Sequence, residues 1–156
     1  MSLLAANLAR PDDLNFLLFL HVLGAMVLVG SLLLAGTVLA GVWRDGSAER
    51  TRFAYRTLLM AVIPSWLVTR VVAQILADKP DYKPFEDSAW IDIGYMTTEL
   101  GLLLLIGATV AAGVGSRRAL REGGPVGTSG KVAAALVWIL TVLYVVAVWA
   151  MTTKPD

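Results

Sequence analysis

The stretch WIDIGYMTTELGLLLLIGATVAAGVG, residues 90–115, joins an unbroken apolar run to two acids near its beginning. A helix needs about 20 predominantly apolar residues to cross a hydrocarbon layer, and this run is long enough. Asp92, Tyr95 and Glu99 follow at i, i+3 and i+7, so on a helix they share one face. Gly94, Gly101, Ala108 and Gly115 recur every seventh residue, a small-residue seam that lets a neighbouring helix approach closely. Glu99 lies roughly 13 Å beyond Trp90 along a helix, well inside a layer about 30 Å thick. A carboxylate at that depth needs a partner, a water-filled cavity or a proton.

The composition around this stretch is of the same kind: of 156 residues, 57% are hydrophobic and 16% charged, with a mean hydropathy of +0.70. That is too apolar for an ordinary soluble domain. The charges fall in clusters separating four apolar runs, about 14–43, 53–77, 90–115 and 131–151. They predict an all-α integral membrane protein, a single four-helix transmembrane domain over 1–156. The near-zero net charge offers no nucleic-acid footprint. The chain has no cysteine, which excludes disulfides, thiolate metal sites and iron–sulfur clusters and leaves His, Met, Tyr or carboxylates as metal ligands.

The first run follows Asp12 and Asp13, which read as an N-cap, and the polar arm before it lacks the basic region and cleavage site of a secretory signal, so it is expected to be retained. The second run contains Pro64, which removes a backbone donor and predicts a kink near its middle. Loop 1 is rich in Arg44, Arg50 and Arg52, loop 3 in Arg117, Arg118, Arg121 and Lys131, while acids dominate loop 2 from Asp78 to Ala89. Positive loops face the cytoplasm, so both termini and loop 2 are expected outside. Short connections favour an up-down bundle with antiparallel neighbours. Trp43, Trp90 and Trp149 fit interfacial belts.

Measured from the outer end of its own helix, one polar residue from each run falls at a common depth. His21, Arg70, Glu99 and Tyr144 all lie roughly 12–15 Å down. Facing inward, they would form a layer, with Gln74, Asp92 and Tyr95 leading from it to the outer surface as a ligand-binding vestibule. A charge left in lipid costs about 2.5–3.5 kcal/mol on insertion scales, so an Arg70–Glu99 pair is expected, functional or simply fixing helix register. His21 could titrate against either member or serve as an interhelical hydrogen bond.

The segments His21-Val-Leu-Gly-Ala-Met-Val-Leu-Val-Gly30, Pro64-Ser-Trp-Leu-Val-Thr-Arg70, Trp90-Ile-Asp-Ile-Gly-Tyr95 and Val148-Trp-Ala-Met151 resemble small four-helix bacterial membrane proteins, common in actinobacteria, of the DUF2269 type. The resemblance covers most of the chain and implies the four-helix fold and a bacterial plasma-membrane location rather than an activity. More loosely, His21 with Gly30 nine residues on is similar to the copper-resistance D domain and to a membrane protoporphyrinogen oxidase. That likeness implies copper or haem, although the aromatic residue often found between the two is replaced by Leu28 and Val29. A single histidine forbids bis-histidine haem within one chain; His21 with Met26 or Met96 as an axial pair, or a five-coordinate haem on His21, is left.

Three functions remain open on the sequence. The leading one is a binding or transport protein whose outward pocket takes a small polar or anionic ligand, with Arg70 as fixed charge, Glu99 as the proton-dependent one and Pro64 as a hinge. The second is a haem- or copper-binding redox protein that uses His21. The third is a non-catalytic accessory or scaffold subunit, including a homodimer through Gly94, Gly101, Ala108 and Gly115. No nucleophile elbow, Walker loop, zincin motif or dinucleotide fingerprint occurs, and no catalytic constellation is legible.

Overall fold

In the computed structural model, which describes residues 12–79 and 89–153, four helices are long and apolar enough to cross a membrane. They are α1 (Asp12–Asp45), α2 (Ala48–Ala77), α3 (Ala89–Glu122) and α4 (Gly127–Thr153). α1 packs on α2 and α4, and α3 packs on α4 and on the first part of α2, so the four close into a bundle. The first and third connections meet at one end, called here the basic end; Asp12 and Thr153 lie at the other.

The expected helices are all present and each runs further into the charged connections, α1 by two residues to Asp45. α3 continues through Arg117, Arg118 and Arg121 to Glu122, where the Arg118 Nε–Glu122 ion pair of 3.0 Å spans one turn. α4 begins at Gly127 rather than Lys131, and α2 at Ala48 rather than Phe53. Polar residues at a span's edge satisfy helical hydrogen bonding as well as apolar ones do, so hydropathy marks the apolar core of a helix and not its end.

Both connections are tightly capped. Gly46, at φ +60°, donates its N–H to the Val42 carbonyl at 2.9 Å and closes α1, and Ser47 Oγ accepts from the Arg50 N–H at 3.3 Å to open α2. Across the end, the Val126 N–H donates to the Gly46 carbonyl at 3.0 Å and ties the two connections together. A side chain at Gly46 would meet left-handed strain and a Pro125 Cβ only 2.7 Å away. Gly46→Ala should therefore lower stability by about 1–3 kcal/mol in denaturant unfolding, whereas Gly124→Ala, with open space around it, should be nearly silent.

Where Pro64 predicts a kink, the helix has a widened turn. α2 is continuous, but Leu58–Val62 is a π turn in which the Ile63 N–H bonds to the Leu58 carbonyl, five residues back. Pro64 then starts the following α-helical piece, Ile63–Ala77. In a regular helix the proline ring would press on the carbonyl four residues earlier; the π turn moves that carbonyl aside. The outer piece that follows packs on α1 and stands off from α3.

The core is a ladder of leucines and small residues. Leu28, Leu32, Ala35 and Leu39 of α1 pack with Leu58 and Val62 of α2, Leu105, Ala108 and Ala112 of α3, and Val137 and Leu140 of α4. The outer faces carry large apolar side chains, such as Met60 and Leu103, in full exposure. The seam predicted on α3 faces α4: Gly94 lies against Met151, Gly101 against the Tyr144 hydroxyl, and Gly115 against Ser129 and Val126. Ala108 is likewise fully buried. The seam expected to serve a homodimer is thus filled by α4 of the same chain.

Candidate functional site

One stripe of the outer piece of α2 carries Trp66, Arg70, Gln74 and Asp78 at successive four-residue steps. Arg70 Nη1 donates to Gln74 Oε1 at 2.8 Å, and Gln74 Nε2 donates to Asp78 Oδ1 at 3.2 Å. From α3, Tyr95 lies beneath the guanidinium, whose Cζ is 5.1 Å from the ring centroid. Arg70 is half-buried and held by a neutral amide and an aromatic face, so most of its five N–H donors remain available.

One turn deeper the same stripe reaches two orphaned polar atoms. Trp66 Nε1 and the Tyr144 hydroxyl are both buried, and neither has a hydrogen-bond partner among the described residues. They approach each other without reaching hydrogen-bond geometry. Tyr144 is only 8% exposed, and its hydroxyl fits against α3 because Gly101 has no side chain there. A buried donor without an acceptor costs about 1–3 kcal/mol, so two together mark a place where an acceptor is wanted.

The expected four-residue layer is redistributed. Arg70, Gln74 and Tyr95 come together as predicted, and Tyr144 joins them from behind through Trp66. His21 does not: its Nδ1 lies 3.2 Å from the Thr69 carbonyl in the α1–α2 contact, where Thr69 packs onto Gly24. A carbonyl only accepts, so Nδ1 carries the proton. Glu99 is exposed on the outer face of α3, one turn from Tyr95, and makes no ion pair with Arg70. No Arg70–Glu99 ion pair forms: the rotation of α3 places the acid on its exposed face. Asp92 is exposed in the first turn of α3, as a helix-opening acid.

The proposed metal set does not assemble. Met26 and Met96 are 67% and 74% exposed, on the outer faces of α1 and α3, while His21 is turned toward α2. No cluster of three or more His, Asp or Glu with metal-holding geometry occurs among the described residues. These three residues do not fit an axial haem pair or a copper site. Two surface grooves, of about 300 and 250 Å³, lie elsewhere, beside Thr37, Val38 and Arg50 and between Trp43 and Trp138.

Trp66 and Asp78 were absent from the sequence-derived site. Their signal was the four-residue spacing with Arg70 and Gln74, obscured because tryptophan in an apolar run reads as packing. No family model matches the chain, and no curated protein or solved structure is significantly similar to it.

Proposed function

We propose that the four helices span a bacterial plasma membrane with both termini outside, and that the face formed by Trp66, Arg70, Tyr95 and Tyr144 binds a small anionic solute from that side. The observation carrying this reading is the pair of orphaned donors, Trp66 Nε1 and the Tyr144 hydroxyl, one turn below an arginine that has no carboxylate partner among the described residues. Indole N–H, phenol O–H and guanidinium all donate, and a carboxylate or phosphate oxygen only accepts. The stand-off between the outer piece of α2 and α3, created after the Pro64 turn, gives the solute its approach. The excess of basic residues in loops 1 and 3 and the resemblance to small bacterial membrane proteins support the orientation and location.

Glu99, on the exposed face of α3 one turn from Tyr95, opposes an incoming anion by its charge. Glu99→Gln should therefore bind acetate or inorganic phosphate more tightly than the wild type at neutral pH, as read by titration calorimetry in nanodiscs, and an unchanged affinity would remove the acid from the site.

A further inference from the structure

We propose that the basic end carries a binding site for the phosphate of an anionic phospholipid, framed by Arg52 and Arg56 of α2 and Arg117 and Arg121 of α3. The Tyr55 ring seals the seam between the two helices, lying 2.8 Å from where a side chain at Gly113 would begin. Arg52 precedes Tyr55 by three residues and Arg56 follows it directly; Arg117 and Arg121 lie one and two turns from Gly113 along its own stripe. All four are exposed, and the Arg117 Cζ stands 6.0 Å from the Tyr55 centroid. The frame thus brackets one seam from both sides.

Among the described residues none of these four arginines makes an ion pair. Arg50 is paired with Asp45 at 2.9 Å and Arg118 with Glu122 at 3.0 Å, and neither ion pair reaches the seam. Glu49, one turn before Arg52, makes no ion pair with it. Arg52 and Arg56, and Arg117 and Arg121, are each one turn apart on their own helix, and like charges so placed are relieved by an anion among them. Just beyond them, toward the middle of the bundle, Met60 of α2 and Val110 and Val114 of α3 are exposed. A phosphate at the arginines with acyl chains along these residues matches both halves of the surface, which a free phosphate does not.

This inference rests on the reading that the helices span a bilayer and is independent of the outer anion site. The test is native mass spectrometry of the detergent-solubilised protein titrated with phosphatidylglycerol or phosphatidylcholine, paired with insertion into vesicles of each lipid. The wild type should hold phosphatidylglycerol at least about tenfold more tightly than phosphatidylcholine, since each cation near an anionic surface contributes. Arg56→Gln/Arg121→Gln should lose most of that preference, whereas Arg44→Gln/Lys131→Gln removes as much charge from the α1–α4 flank and should keep it. Equal loss in both double variants, or displacement of the lipid by millimolar glycerol phosphate, would overturn the site. A protein that enters vesicles of both kinds without preference refutes this site alone; one that enters neither refutes the spanning reading beneath it.

Discussion

Arg70→Gln should weaken binding of a small carboxylate or phosphate by roughly 30- to several thousand-fold while the protein still inserts and folds. Removing one member of a buried, hydrogen-bonded charge pair costs about 2–5 kcal/mol, which converts to that range at 1.4 kcal/mol per decade. Among the described residues its contacts are Gln74 and the Tyr95 ring, which leaves the guanidinium as the cation of the site. Folding should survive, since glutamine keeps a hydrogen-bonding amide beside Gln74 and no ion pair is broken. Arg70→Lys should recover only part of the affinity, because an ammonium keeps the charge and loses the planar, bidentate fork. Equilibrium titration with acetate and inorganic phosphate, with far-ultraviolet circular dichroism as the folding control, measures all three proteins.

Gly101→Leu should unfold or grossly destabilise the bundle. A Cβ at this position would start 2.8 Å from the Tyr144 hydroxyl and 3.3–3.4 Å from two of its ring carbons, on helices that pack closely along their length. Overpacking a filled site costs about 1–3 kcal/mol and sometimes more, and here the obstructing group is a stiff, buried ring. Gly101→Ala with Tyr144→Phe should be milder than Gly101→Ala alone, because it removes the oxygen in the way. Gly30→Ala is the contrasting case. Nothing lies within 4 Å of a Cβ there, so exchanging glycine for alanine within α1 should be neutral or stabilising by about 0.5–1 kcal/mol. Unfolding in mixed micelles ranks the four.

The fold was legible because hydropathy and charge clustering act on whole segments. Four apolar runs separated by charged clusters leave little choice of architecture, and the small-residue period on α3 correctly marked its tightest face. Its partner was harder to read: glycines show that something comes close, not whether it is α4 or another chain. Position along each helix was also legible, since 1.5 Å per residue converts sequence separation into distance. Rotation was not. The π turn at Leu58–Val62 shifts the phase of everything after it, so the face of Arg70 cannot be extrapolated from Ala54 or Leu58 with a 3.6-residue period. Glu99 was assigned inward because burying a charge in lipid is costly, yet it lies on an exposed face one turn from Tyr95, at the open side of α3.

The most direct test of the donor-lined site is the indole ¹H–¹⁵N resonance of Trp66, assigned by its loss in Trp66→Phe, followed in nanodiscs as acetate or inorganic phosphate is added. An acceptor reaching the orphaned N–H should shift that resonance downfield and saturate at the concentration at which calorimetry saturates, with the shift abolished in Arg70→Gln. A Trp66 resonance that stays in place while either anion binds, or that moves equally in Arg70→Gln, would contradict the proposed site.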